Sequence, residues 1–185
     1  LGAGSNTLFR DAGYNGTIIK LGNSFANIKK LENNKIEVGA ATLDKKLSDF
    51  AMENSISGFE FLSCIPGSIG GAIVMNCGCY GFDISNIFFS LKAIDLSGQI
   101  KNFNKDQISF SYRKTNFPND LIIISVVFEG KFLNKKNIKE KQIQLTNKKK
   151  ESQPSRVKTC GSTFKNPENN KAWELIKNSN CSDLK

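Results

Sequence analysis

The sequence predicts an α+β fold, and three observations lead there. Apolar runs of strand length, rich in β-branched residues, recur along the chain, the clearest being 122–128, IIISVVF. Segments with helical apolar spacing lie between them. The two kinds follow one another without a regular strand–helix–strand period, which argues against a doubly wound parallel sheet. The 185 residues, 39% of them hydrophobic, suffice for one large domain or two small ones with cores of their own.

Residues 17–21, TIIKL, read as a short buried strand after the turn Tyr14-Asn15-Gly16. Residues 35–38 form a second strand. Thr42 is placed as the cap of a helix whose apolar residues, Leu43, Leu47, Phe50 and Ala51, fall at helical spacing. A glycine-rich stretch follows at 64–81. Residues 88–95, the turn Leu96-Ser97-Gly98 and residues 100–103 make a hairpin. Residues 121–128 are the strongest strand, and 134–150 are helical. Gln153-Pro154 breaks that helix, and residues 172–178 start another.

Composition closes off several classes. The longest apolar run is too short to span a bilayer, so no membrane partner is expected. The opening residues, LGAGSNTLFRD, match neither an initiator methionine nor a signal peptide, so the sequence is read as an internal fragment. Five cysteines without paired CxxC motifs, and no histidine, argue against a zinc site. Cys77 and Cys79 read as small residues in a tight place, with reduced thiols in a cytoplasmic setting. The net charge is +9, but residues 131–150 hold eight Lys and one Glu, a net of +7, which leaves +2 elsewhere. One solvated basic helix or linker therefore carries the excess, and a nucleic-acid surface is not expected.

The glycines point to a ligand. Five of the fifteen lie within 64–81, CIPGSIGGAIVMNCGCYG, and two more within LGAGSN at the start. Gly2, Gly4, Ser5 and Asn6 make one candidate phosphate cradle. Gly67, Ser68, Gly70 and Gly71, entered through Pro66 and leading into an apolar helix, make the other. Bare backbone lets N–H groups approach a diphosphate, and a helix N-terminus adds a favourable dipole. Taken alone, LGAGSN is explained by a tight turn between packed elements. Neither stretch has the P-loop or GxGxxG spacing. Two cradles in one chain favour a long, bent diphosphate cofactor.

Five stretches in order carry a family resemblance. LGAGSNTLFRDAGYNGTIIKL resembles the opening flavin-binding stretch of the UDP-N-acetylenolpyruvoylglucosamine reductases, and IPGSIGGAIVMNCGCYG is similar to their second. FSYRKTNF at 110–117 resembles their Tyr-Arg substrate motif, GSTFKNP at 161–167 their catalytic serine loop, and KAWELI at 171–176 the helix after it. The resemblance implies an FAD-binding domain of the vanillyl-alcohol-oxidase type over 1–133, a basic helical linker over 134–153 and the start of a substrate domain over 154–185. It implies that FAD lies against the two cradles, with the turn of Asn76, Gly78 and Gly81 near the isoalloxazine or the adenosine.

The activity so implied is NADPH-dependent reduction of the enolpyruvyl ether of UDP-N-acetylglucosamine to UDP-N-acetylmuramate, in a monomer. Negative charge develops beside the substrate carboxylate, which calls for a cation there and a proton donor opposite the flavin. By resemblance Arg113 is the cation, with a guanidinium suited to a carboxylate, and Ser162 the proton donor. Tyr112, Lys165 and Asn166 are the further substrate-side candidates. The family's C-terminal catalytic glutamate has no counterpart in these 185 residues. Two other readings stay open: another FAD-dependent oxidoreductase of the same domain type, for which a serine donor paired with a carboxylate clamp has no use, and a non-catalytic flavin-binding fragment.

Overall fold

Alternation of apolar and polar residues in 35–39 and 122–129 sets the centre of an antiparallel sheet. In the computed structural model, which describes residues 1–153 and 163–181, β1 (Ile28–Lys30) and β2 (Lys35–Gly39) pair antiparallel at one edge. Helix α1 (Asp44–Glu53), the short β3 (Ile56–Ser57) and a 3-10 turn (Glu60–Cys64) follow, then α2 (Ile69–Met75). Two-residue strands β4 (Gly78–Cys79) and β5 (Phe82–Asp83) form a small hairpin. The long hairpin is β6 (Phe88–Ile94) with β7 (Ile100–Asn104). A second small hairpin, β8 (Phe110–Ser111) with β9 (Lys114–Thr115), leads to β10 (Ile122–Glu129). Strand β11 (Lys131–Phe132) pairs with β3, and the chain ends in α3 (Lys135–Ser152) and α4 (Ala172–Asn178).

The main sheet runs β1-β2-β10-β6-β7, antiparallel throughout. Register places Val38 opposite Val126 and Ile36 opposite Phe128, and Val126 in turn faces Leu91. All five are buried, so one sheet face is continuous core. Leu47 and Ala51 of α1 and Ile69 and Ile73 of α2 complete that core. Burying each such Leu or Ile contributes about 1.5–3 kcal/mol.

The sequence reading holds for β2, the β6–β7 hairpin, β10 and the three helices that follow 43, 133 and 171. Four points differ. Residues 17–21 are not a strand. They have no ladder partner among the described residues, and the contact made there is the Leu1 amino group donating to Ile19 O at 2.7 Å. Short β1 was not anticipated, because IKK carries no alternation to find. Thr42 does not cap α1. The cap position is Leu43, with φ −71 and ψ 140, while the Thr42 carbonyl accepts from Ile69 N at 2.9 Å, tying the chain to the entry of α2. Lastly, the basic helix over 134–153, mostly exposed as read, also docks along one face. Helix α3 buries Ile138 and Gln142, and Gln142 Nε2 donates to Ser48 Oγ (2.7 Å) and Ser48 O (3.2 Å) on α1. No helix of the described residues is long and apolar enough to cross a membrane.

Candidate functional site

The two glycine-rich stretches, far apart in sequence, meet. A side chain on Gly2 would run into Ser68 Oγ and would come within 4.0 Å of Gly71 N. One on Gly67 would stand 2.5 Å from Asp44 Oδ2 and 3.9 Å from Ser5 Oγ. Asn6 Nδ2 reaches Met75 Sδ at 3.6 Å, so the first loop runs along α2. Gly4 turns that loop in the left-handed region, at φ +82, which glycine adopts without strain. Gly2, Ser5, Asn6, Gly67, Ser68 and Gly71 thus form one cradle.

The other glycines of the second stretch serve the scaffold. A Cβ on Gly70 would lie 3.3 Å from Ala40 Cβ, and Gly70 N donates to Ala40 O at 2.9 Å, so its bare side faces the end of β2. Gly78 faces its hairpin partner, where a Cβ would sit 2.5 Å from that of Asp83. Tyr80 and Gly81 close that hairpin with φ 56 and 85, the pair of positive values a two-residue type I′ turn requires. Pro66 is exposed, and Ile65 before it is extended as a proline demands, at φ −104 and ψ 119. Helix α2 is seven residues long and lends only a weak dipole, so the cradle rests on its loops.

Asn76 joins the cradle to the rest of the site. It ends α2 in the left-handed conformation, at φ 41 and ψ 54, and its side chain is committed within the protein. Nδ2 donates to Asp83 Oδ2 and to Ser111 O, each at 3.2 Å, and Oδ1 accepts from Ser85 N at 3.2 Å. Ser111 belongs to the β8–β9 hairpin, which carries Tyr112 and Arg113 at its tip. Thr115 Oγ1 ties the same hairpin to Val74 O at 3.4 Å. Arg113 is half-buried and adopts φ 54. A non-glycine residue held there costs about 1–2 kcal/mol, and such strain collects at working sites. The Tyr112 hydroxyl accepts from Asn166 N at 3.4 Å, and Asn166 Oδ1 accepts from Ala172 N at 3.0 Å, capping α4. Lys165 is exposed. Ser162 lies outside the described residues.

Beside these loops lies a polar cluster in which the sequence reading named Ser68 and Thr42 but missed Asp44. Thr42, Asp44 and Ser68 are buried, and Thr42 Oγ1, both Asp44 carboxyl oxygens and Ser68 Oγ have no hydrogen-bond partner among the described residues. Backbone bonds fasten the three together: Asp44 N to Gly67 O at 3.1 Å and Ile69 N to Thr42 O at 2.9 Å. Burial pushes the Asp44 carboxyl up to about 7 from its ordinary 3.8. Nothing in TLD marks this, since an acidic residue opening a helix is commonplace. Cys77 and Cys79 pack against the core, and burial raises both thiols, Cys79 to about 12. Neutral thiols suit the packing role read from the sequence. On the far side of the glycine stretch Lys149 Nζ donates to Cys64 O at 2.7 Å, and Lys148 Nζ sits 4.9 Å from the Tyr80 ring centroid.

A Cβ at Gly2 or Gly67 would collide with Ser68 Oγ or Asp44 Oδ2, so bare backbone lets the two loops pack together, and their N–H groups and the hydroxyls of Ser5 and Ser68 are donors of the kind that fit a dinucleotide diphosphate. This architecture is that of a flavin-binding domain: residues 1–104 match the family model described as the FAD binding domain, and the chain belongs to that family. It is 48% identical over 182 residues to the UDP-N-acetylenolpyruvoylglucosamine reductase of Pelagibacter ubique, covering 97% of this chain and 60% of that protein. It is 45% identical over 175 residues to the enzyme of the same name from Rickettsia peacockii, covering 95% of this chain and 59% of the relative. The crystal structure of UDP-N-acetylenolpyruvylglucosamine reductase from Thermus caldophilus superposes with a TM-score of 0.85 at 29% identity, over 97% of this chain and 65% of that one. The chain therefore spans about three fifths of the length of the curated relatives it matches.

Proposed function

We propose that this chain is the flavin-binding body of a UDP-N-acetylenolpyruvoylglucosamine reductase, acting in peptidoglycan precursor synthesis. The observation that carries the reading is one continuous line of contacts. It runs from the Gly2–Gly67 cradle through Met75 and Asn76 to the Tyr112-Arg113 hairpin, and from Tyr112 to Asn166, four residues past Ser162. Relatives of that name at 45% and 48% identity support it.

Gly2, Gly4, Ser5, Asn6, Gly67, Ser68 and Gly71 would hold the FAD diphosphate with backbone N–H groups and hydroxyls. FAD, when bound, supplies a hydride carrier that NADPH reloads. Arg113 grips the substrate carboxylate and stabilises the charge that gathers beside it; two parallel N–H···O bonds fix its plane. Ser162 gives its hydroxyl proton to the adjacent carbon. The Tyr112 hydroxyl ties Asn166 to the hairpin, and Lys165 faces the charged substrate. Residues 1–133 act as the flavin domain and 154–185 as the start of the substrate domain, in a cytoplasmic monomer, with α3 docked between them in the chain.

The test is the visible spectrum of the complete gene product. A yellow protein that bleaches with NADPH and recovers its colour anaerobically with the enolpyruvyl substrate is expected. A colourless protein, or bleaching without recovery, contradicts the reading. Ser162→Ala should leave bleaching intact and slow recovery by at least about a hundredfold, the range of a lost proton donor. Equal recovery rates would remove Ser162 from the mechanism.

A further inference from the structure

We propose that Asn76 is a positioning residue: through its hydrogen bond to Ser111 it sets the Arg113 hairpin at a fixed place relative to the flavin cradle, so that use of the substrate depends on it and retention of the flavin does not. The inference rests on the flavin reading above and adds to it the residue that places the carboxylate grip.

Asn76 is buried, and its side chain joins three separate pieces of chain. Nδ2 donates to Asp83 Oδ2 in β5 and to Ser111 O in β8, and Oδ1 accepts from Ser85 N in the 3-10 turn Ile84–Asn86, which Asp83 caps. Both amide protons are spent within the protein, so the side chain has no donor left for a ligand. Asparagine suits the position twice over. It tolerates the left-handed backbone that ends α2, and its amide offers donor and acceptor together. An aspartate would keep that backbone but set a second acceptor against Asp83 Oδ2 and Ser111 O.

The hairpin so held cannot place itself. Strands β8 and β9 have two residues each, and Ser111 pairs with Lys114, so Tyr112 and Arg113 alone make the turn. Arg113 takes the second turn position at φ 54, where glycine is favoured. An isolated hairpin is marginal in water, and a strained turn weakens it further. Aromatic contacts anchor its base: Phe110 lies edge-on to Phe88 at 5.1 Å between centroids, and Phe117 to Phe103 at 5.8 Å. Nearer the tip, two polar ties reach the end of α2, Asn76 Nδ2 to Ser111 O and Thr115 Oγ1 to Val74 O. The other end of α2 is fixed at the cradle, where Ser68 precedes it and Gly70 N donates to Ala40 O. Its seven residues rise about 10 Å. Helix α2 is therefore a short strut with the cradle at one end and the arginine hairpin at the other, and Asn76 is the joint at the hairpin end.

The test uses the complete gene product with its flavin photoreduced, and follows anaerobic reoxidation by the enolpyruvyl substrate as a second-order rate constant. Asn76→Gly keeps the left-handed cap and removes the amide. Its FAD content should match wild type, while the rate constant falls at least about tenfold. In an Arg113→Ala background the same Asn76→Gly change should cost less than about twofold, because a residue that acts through Arg113 has nothing left to place. A merely structural role would cost the same in both backgrounds, and that result overturns the proposal. Loss of FAD from Asn76→Gly, with wild type retaining it, also overturns it, since Asn76 then serves the cofactor. Because Asn76→Gly can fail to fold, a second variant is measured: Asn76→Asp with Asp83→Asn exchanges donor and acceptor between 76 and 83 but offers Ser111 O no donor. It should melt like wild type and still lose at least about tenfold in reoxidation. Reoxidation at the wild-type rate overturns the proposal and leaves the flavin reading standing. A wild type that holds no FAD, or that the substrate does not reoxidise, overturns the flavin reading and this inference with it.

Discussion

The two glycine-rich stretches meet from opposite structural positions. The second, 64–81, is built into the core: Ile69 and Ile73 of α2 are fully buried, Gly70 lies on Ala40, and Asn76 locks the far end. The first, with the residues that follow it to 22, has no regular element longer than a turn before Asn23, and Leu8 within it is 88% exposed. It reaches the second through Gly2 at Ser68, Ser5 at Gly67 and Asn6 at Met75. One wall of the cradle is therefore fixed by folding, and the other is laid against it. Elements rich in buried apolar contacts open with the whole molecule, whereas those without them open alone.

That contrast can be broken at its strongest point first. Ile73→Ala should cost about 2–5 kcal/mol in chemical denaturation, whereas Leu8→Ala should stay within about 0.5 kcal/mol. Comparable losses would mean that the first stretch is as much core as the second. Next in size is Asp44, which underlies the fixed wall. Its folded pKa, about 7, lies above the 3.8 of the unfolded chain, so the folded state holds a proton that the unfolded state releases between those values. Stability from this group is whole below about pH 4, declines as pH rises, and is gone above about pH 7. Asp44→Asn removes that dependence. It should be more stable than wild type at pH 8 by up to about 4 kcal/mol and close to it at pH 4, from thermal melts at the two pH values. An equal difference at both would show that the carboxyl is not desolvated. The smallest effect is at Gly70. A Cβ there meets Ala40 at 3.3 Å, a contact tight by a few tenths of an ångström, while alanine is the better helix former by about 1 kcal/mol. Gly70→Ala should change stability by less than about 1 kcal/mol and leave flavin affinity within about twofold.

The sequence was most informative where one local signal decided the outcome. The turn Leu96-Ser97-Gly98 between two apolar runs fixed the β6–β7 hairpin, with Gly98 at φ 86, and β-branched density fixed β10. It misled where a neighbour decided. TIIKL has strand composition, but a strand exists only with a partner, and the described residues offer none. Thr42 looks like a cap, yet its backbone is spent on Ile69. The lysines of 131–150 suggested a helix surrounded by water. Two residues among them, Ile138 and Gln142, were enough to dock it. At the site, Gly2 and Gly67 were legible because bare backbone is rare and motif-like. Asp44 was not, because its meaning comes from burial and from the absence of a partner, neither of which is written in TLD.

The central claim is that Gly2 and Gly67 are two sides of a single diphosphate cradle, and a double-mutant cycle on FAD affinity tests it most directly. Gly2→Val and Gly67→Val should each weaken binding by at least about a hundredfold, and the double variant should be little worse than either single one, because residues that share a ligand group couple by about 0.5–3 kcal/mol or more. Independent, additive losses, or a single variant that binds FAD like wild type, would contradict it.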